Sequence, residues 1–460
     1  MKLNSYKRYP HRKGFSLPVK GVLLVVIIIP LVVFLARVFE VEKPQVSLLT
    51  AESLINSETE ISLSLKDPKS GIQEVQITLE QNGRIVQLQN RKLARQNYVK
   101  AAGPKALSVD FSIDSKSLGI SDGKANLHVV IRDFSLWGWL KGNVVHEIYP
   151  LVLDTVPPVV TLLESPANIK PGSVGIVVYK SAEPLEKHGV LLNGHFHQGF
   201  PLAARGVNTY GTIFSAPFYT MTIKESVVEV SDRAGNKTNT PFQVNLRSMR
   251  IIEDRIDISK NFLDRKLPEF SDYYQETTES MIDKYLYINR EVRKHNNDYI
   301  RKICRQSSPE KIWQGKFNRM ARSSRKASFA DKRQYFYMGR IIDETVHLGI
   351  DLASVRHADV QAANRGEVVF ADYLGIYGNM VILDHGIGVF SLYSHLSQIL
   401  TDKGDVVSSG AVIGKTGTSG MAGGDHLHLG MLVNGIFVNP VEWWDSSWVN
   451  LNILQYLNDA

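Results

Sequence analysis

Short segments in which apolar and polar residues alternate set the tightest limit on how this chain can fold. Glu60-Ile-Ser-Leu-Ser-Leu65 and Glu74-Val-Gln-Ile-Thr-Leu79 are examples from the stretch between Val41 and Leu151. Successive side chains of a β-strand point to opposite faces, so a period of two buries one face and wets the other. Between these segments stand turn formers such as Asp67-Pro-Lys-Ser-Gly71 and Gln81-Asn82-Gly83. Short alternating strands separated by Gly, Asn and Pro predict an antiparallel sandwich.

A second copy of this pattern follows the first. Pro44-Gln-Val-Ser-Leu-Leu49 is echoed by Pro158-Val-Val-Thr-Leu-Leu163, and Val129-Val-Ile-Arg-Asp133 by Val228-Glu-Val-Ser-Asp232. The chain is therefore expected to carry two tandem β-sandwich modules, 42–153 and 156–247. The turn Asp232-Arg-Ala-Gly-Asn236 also resembles the ends of bacterial immunoglobulin-like modules. His195 and His197 have no acidic or histidine motif beside them and read as turn or surface residues.

Over 250–332 the period changes. Met281, Tyr285, Ile288 and Val292 recur at helical spacing, which predicts one long helix or a broken pair. From Arg290 to Arg333 there are 14 Lys and Arg against four acids. Such a basic segment suits anionic lipid or an acidic polymer, and equally a solvated face that balances acidic surface elsewhere. The segment from 333 to 445 is again β-rich and dense in glycine, and 446–460 is left as a C-terminal tail.

The net charge of +7 does not point to nucleic acid, because its location is local. Seven of the 53 Lys and Arg precede Glu40 with no acid among them, leaving 46 against 46 Asp and Glu. The basic leader, 1–20, runs into an apolar stretch, 21–39, about long enough to span a bilayer. The run is long for a signal peptide and lacks a clear small-x-small cleavage site, which favours an uncleaved signal anchor. With the positive charge on its N-terminal side, the leader is expected in the cytoplasm and the rest outside. The expected location is thus the cell membrane, crossed once, with the C-terminal domains on the periplasmic or extracellular side. The single cysteine, Cys304, cannot form an intrachain disulfide and reads as a structural thiol.

Three motifs of the last segment can converge. In Val346-His-Leu-Gly-Ile-Asp-Leu352, read as extended chain, His347, Gly349 and Asp351 share one face. Tyr393-Ser-His395-Leu-Ser397 ends a strand candidate. Lys415 to Gly430 closes on His426 and His428, which a strand would also place on one face. Four histidines and a carboxylate meet the needs of hydrolytic zinc chemistry. It requires three ligands, an open position for water, a base for that water and a donor for the oxyanion.

His347-Leu-Gly-Ile-Asp351, Tyr393-Ser-His395-Leu and Thr416-Gly-Thr-Ser-Gly-Met-Ala-Gly-Gly-Asp-His426-Leu-His428 resemble the H-x-G-x-D, Y-x-H-L and T-G-x-(S/T)-G…H-L-H motifs of peptidase family M23, the lysostaphin/LytM-type zinc endopeptidases. Gly375-Ile-Tyr-Gly-Asn379, Asp384-His-Gly386 and Val438-Asn-Pro-Val-Glu-Trp443 are similar to other parts of that family's core. The resemblance covers 333–445 and implies a LytM-like β domain. It implies that His347, Asp351 and His428 bind Zn2+, while His395 and His426 orient or deprotonate the water and stabilise the tetrahedral intermediate. His385 is not a family ligand and is left structural.

The expectation is a mainly β protein: an N-terminal transmembrane helix, two immunoglobulin-like sandwiches, a helical linker and the LytM-like domain. Its implied activity is that of a zinc metalloendopeptidase cutting peptide cross-links of bacterial peptidoglycan, with room for envelope protein partners. The alternative is a LytM-like binding module that activates or positions another cell-wall hydrolase. A protease acting on envelope proteins would use the same chemistry. The glycines before His426 read as a tight loop that lets substrate backbone approach the metal, and the basic segment as a contact to wall or lipid, or a cover for the groove.

Overall fold

A computed structural model describes residues 19–49, 53–96, 102–274 and 280–457. The chain divides into two compact units, Met1–Val156 and Pro157–Ala460. In the first, a helix runs over Val19–Val38 with Pro30 inside it. Of the basic leader expected at 1–20, residues 1–18 lie outside the described residues. The large apolar side chains from Leu24 to Leu35 are exposed. Among the described residues no helix is long and apolar enough to cross a membrane.

A β-sandwich follows. One sheet holds Gln45–Leu48, Glu60–Lys66 and Ala106–Ser112, and the other holds, in order, Leu54–Ile55, Val144–Leu153, Gly123–Asp133, Ile72–Gln81 and Arg84–Lys92. The alternation in Glu60–Lys66 works as the pleat requires. Ile61, Leu63 and Leu65 are buried while the serines between them are only half-buried. Their core partners include Val75, Ile77, Leu79, Leu127 and Val129, all at alternate positions of the facing sheet.

The second unit begins with another sandwich of two four-stranded sheets. Its strands Val174–Ser181 and Thr209–Ser215 are buried on nearly every residue, which a free-standing sandwich would not require. The reason lies on their second face. Val174, Ile176, Val178, Phe200 and Ile213 belong to the same hydrophobic core as Trp313 and Phe317 of the segment 250–332 and Leu432 and Trp443 of the C-terminal domain. Asn434 Nδ2 donates to Ile213 O at 2.9 Å and Ser173 Oγ to Glu442 Oε2 at 2.7 Å across the same junction. This module and the C-terminal domain are therefore one packed body. His197, expected at a turn or surface, lies fully buried in the strand His195–Gln198, because the pairing with Lys187–Leu192 turns it inward.

The segment 250–332 is helical through its middle, where the spacing places a helix. Met281–Tyr287, a wider turn over Ile288–Val292 and Arg293–Ile303 succeed one another and bury Tyr285, Ile288, Val292 and Ile300. At its two ends the segment is strand. Glu253–Asp257 pairs in parallel with Lys332–Tyr337, which pairs with Arg340–Val346, and Ser324–Ala327 joins the main sheet. Glu253-Asp-Arg-Ile-Asp257 carries one apolar residue in five, so no hydrophobic period marks it.

The main sheet runs in the order Ser324–Ala327, Ile350–Ala353, Leu427–Val433, Val389–Ile399, Gly378–Asp384, Gly366–Leu374 and Val406–Val407. Residues 446–457, expected as a tail, turn helically and bury Val449, Ile453, Leu454 and Leu457.

Candidate active site

Sheet register builds the centre of the site. Strand Leu427–Val433 lies between Ile350–Ala353 and Val389–Ile399, with Asp351 opposite His428 on one side and Ser394 opposite His428 on the other. His347 comes from the break between Arg340–Val346 and Ile350–Ala353 rather than from one continuous strand. It still reaches the same point. His347 Nε2 is 2.8 Å from His428 Nδ1, and Asp351 Oδ1 lies 3.0 Å from each. All three residues are buried and near enough to share one metal ion.

Gly349 makes this closeness possible. A Cβ there would sit 2.6 Å from both Cε1 and Nε2 of the His428 ring, inside any permitted contact. Only glycine lets that imidazole lie against the chain.

The other two histidines stand beside this trio. His426, just before the strand, places Nε2 3.5 Å from Asp351 Oδ1, and its Nδ1 donates to Gly424 O at 2.8 Å. His395 donates from Nδ1 to Ser419 O at 2.9 Å, and its ring centre is 5.0 Å from that of His426. Its backbone is left-handed, with φ of 62°. A non-glycine residue in that region is strained by roughly 1–3 kcal/mol, a cost that recurs at functional sites. Here it ends the regular pairing at a register shift.

The electrostatics follow from burial and from Asp351. Burial opposes its charge, but His347, His426 and His428 outweigh burial and hold the carboxyl well below the usual carboxylate range. Burial lowers His347 and takes His428 down to about 4. Burial and the two neighbouring rings press His395 well below the ordinary value. His426 goes the other way: burial lowers it, and the contact with Asp351 raises it by more.

The donors fit a zinc ion. His347 Nδ1 donates to Ser328 O at 2.9 Å, which leaves the Nε2 lone pair facing inward. His428 turns Nδ1 to the cluster while its Nε2 is buried without a protein partner. Two neutral imidazoles and one carboxylate form the N,N,O set that zinc accepts while keeping a position open.

Sequence reasoning had no sign of Arg333. Its Nη2 donates to Asp351 Oδ2 at 2.5 Å and its Nε lies 3.5 Å from Asp254 Oδ2. One carboxylate oxygen thus faces the histidines and the other is held by a guanidinium. Tyr377, from the glycine-flanked motif, sets its ring 5.7 Å from His428 and donates its hydroxyl to Asn297 Oδ1 at 2.7 Å. His385 bonds Arg365 O and Ser391 Oγ at 2.6 and 2.7 Å, a structural role.

The glycine loop divides its work. A Cβ at Gly417 or Gly420 would strike protein backbone, at Ser397 and Gly378 respectively, whereas Gly423 and Gly424 face open space. Only the latter pair leaves room for another chain. Lys266 Nζ donates to Thr418 O and pairs with Glu269 at 2.8 Å, so the segment before the long helix borders this loop.

Residues 345–440 match the model of Peptidase family M23. The chain is 42% identical over 96 residues to the DD-carboxypeptidase/endopeptidase Mpg of Neisseria meningitidis, a match covering 21% of this chain and 22% of that protein. It is 38% identical over 96 residues to the peptidoglycan DD-endopeptidase ShyA of Vibrio cholerae, with the same two shares, 21% and 22%. The match to the crystal structure of a zinc containing peptidase from Vibrio cholerae covers 94% of this chain and 98% of that one, at 13% identity and a TM-score of 0.24. The chain thus carries an M23 peptidase domain and spans about a fifth of the length of the curated relatives it matches.

Proposed function

We propose that this chain is a membrane-anchored zinc endopeptidase that hydrolyses peptide cross-links of bacterial peptidoglycan. The observation that carries the reading is the triangle of His347 Nε2, His428 Nδ1 and Asp351 Oδ1, with edges of 2.8–3.0 Å and two further histidines beside it. A relative with 38% identity over this domain is named a peptidoglycan DD-endopeptidase, which supports the substrate class. The anchor rests on the apolar run 21–39 of the sequence and on the basic residues before it, which favour a catalytic domain outside the membrane.

His347, Asp351 and His428 would hold the zinc. When bound, the metal supplies a Lewis acid and lowers the pKa of its water to about 7. His395 and His426 keep their Nδ1 atoms on backbone carbonyls, which directs both Nε2 atoms toward the reacting region. From there they orient and deprotonate the water and stabilise the charge that develops on the attacked carbonyl. Arg333 holds Asp351 in place through Oδ2, leaving Oδ1 on the side of the histidines.

The test is incubation of the purified full chain with peptidoglycan, with and without a chelator, and mass spectrometry of the new amino and carboxyl termini. Chelator-sensitive cleavage of cross-links is expected. A zinc-loaded chain that makes no new termini, but accelerates another hydrolase, would establish the activator reading instead.

A further inference from the structure

Three acids of the first unit, Met1–Val156, meet. Glu40, Asp67 and Asp133 bring one carboxylate oxygen each within 4.8 Å of one another. They are only 4%, 2% and 0% exposed. Burying one unpaired carboxylate is expensive, and neighbouring like charges add to the cost.

The protein answers part of that cost with hydrogen bonds. Asp133 takes Asn143 N at 2.7 Å, Asn143 Nδ2 at 2.8 Å and Ser135 N at 3.0 Å. Asp67 takes Lys69 N at 3.0 Å and Ser70 Oγ at 3.3 Å. Glu40 Oε1 takes Ser70 N at 3.1 Å, but its Oε2 is buried with no partner. Among the described residues no lysine or arginine pairs with any of the three. Lys69 directs its ammonium to Glu42 instead, at 2.7 Å.

The arrangement is also written twice in the sequence. Glu40 stands four residues before Pro44, as Asp154 stands four before Pro158. Asp67 precedes Pro68, as Glu183 precedes Pro184. Asp133 closes Val129-Val-Ile-Arg-Asp133, as Asp232 closes Val228-Glu-Val-Ser-Asp232. Asp232 even takes the backbone N and Nδ2 of Asn236, both at 2.9 Å, as Asp133 takes those of Asn143. A module fold alone calls for hydrophobic residues at alternate positions, and for no acid at these three places.

We propose that Glu40, Asp67 and Asp133 bind a hard divalent cation, Ca2+, which fastens the residue just after the helix Val19–Val38 to the first β-module. The donors are oxygens only, the set that hard cations take, with no nitrogen or sulfur to favour zinc. The unpartnered Glu40 Oε2 supplies the free ligand atom. Three carboxylates in a pre-folded pocket, with water completing the shell, suit the larger and more tolerant Ca2+ better than Mg2+. Ser135 Oγ and Asn143 Nδ2 donate to Glu40 O at 2.8 and 3.1 Å, so the backbone at this position is already held for the ion.

The test uses the zinc-loaded full chain in detergent, titrated calorimetrically with CaCl2 and then MgCl2, with thermal unfolding at each concentration. Calcium is expected to bind at about 0.1–1 mM, the range of extracellular modules, and to raise the unfolding temperature. Glu40→Gln is expected to bind one equivalent fewer, or at least tenfold more weakly. In calcium-free buffer it should unfold no lower than the parent, because it sheds a buried charge and its side-chain oxygen still accepts from Ser70 N; this shows that the variant folds. An unchanged titration for Glu40→Gln overturns the assignment. So does the absence of heat and of any thermal shift up to ~10 mM Ca2+, and a preference for Mg2+ overturns the choice of ion.

Discussion

Replacing Gly349 with alanine tests whether the site depends on how closely His428 lies against the chain. A Cβ at this position would be 2.6 Å from His428 Cε1 and Nε2, and 2.7 Å from Leu429 O. Ordinary carbon contacts begin near 3.4 Å, so the overlap is about 0.8 Å. Leu429 is fixed by pairing on both sides of its strand. The imidazole is the group that can swing. Overpacking of this kind costs roughly 1–3 kcal/mol of stability, and a ligand displaced by about 1 Å costs on the order of 100-fold in rate. Zinc content by atomic absorption, unfolding temperature and cross-link cleavage would be measured together. Gly430→Ala is the control, since its Cβ would meet Leu348 O and Leu392 at 3.5 Å, an ordinary contact. Gly349→Ala should stay folded, bind zinc at least tenfold more weakly and lose most activity, while Gly430→Ala stays near the parent. Full zinc content and activity in Gly349→Ala would refute the reasoning.

Other substitutions separate the roles further. His428→Ala is expected to lose zinc and activity together, whereas His426→Ala should lose activity and keep most of its zinc. Equal zinc retention in both would make the ligand assignment wrong. Arg333→Ala strips the cation from a carboxylate that is 11% exposed, and breaking a buried pair costs about 3–5 kcal/mol. The loss in unfolding free energy should be larger without zinc than with it, because the metal replaces the missing charge; identical losses would leave Arg333 with no link to the site. Cys304 is fully buried and burial pushes its thiol well above the ordinary value. It should resist iodoacetamide in the native chain and react after denaturation, and rapid native labelling would contradict the buried position.

The site was legible in the sequence because its chemistry is written as residue types at fixed spacings. His347, Asp351, His395, His426 and His428 all converge. The way they converge was less visible: a break at His347 and a left-handed turn at His395 do the aiming, and a period of two predicts neither. The sandwiches were legible wherever one face is wet, as in Glu60–Lys66. Where both faces are buried, as in Val174–Ser181, the near-continuous apolar run gave no clue to what lies on the second face. Glu253–Asp257 was missed for the opposite reason. An edge strand of charges has no hydrophobic period, and only its parallel partner, distant in sequence, makes it a strand.

That unseen strand matters to the chemistry. Residues 345–440 are the part that matches the peptidase family, yet the carboxylate at their centre is held from outside. Arg333 reaches Asp351 from the strand Lys332–Tyr337, which pairs with Glu253–Asp257, and Asp254 lies at the far side of the same guanidinium. The long helix adds a second support, because Asn296 Oδ1 accepts from Ile376 N at 2.9 Å and Asn297 takes the hydroxyl of Tyr377. Tyr285, Ile288, Trp313 and Phe317 of the intervening segment are core residues. A chain cut near residue 330 would therefore expose that core rather than uncover a groove. The segment 250–332 acts as part of the peptidase body. It borders the glycine loop where Lys266 Nζ donates to Thr418 O.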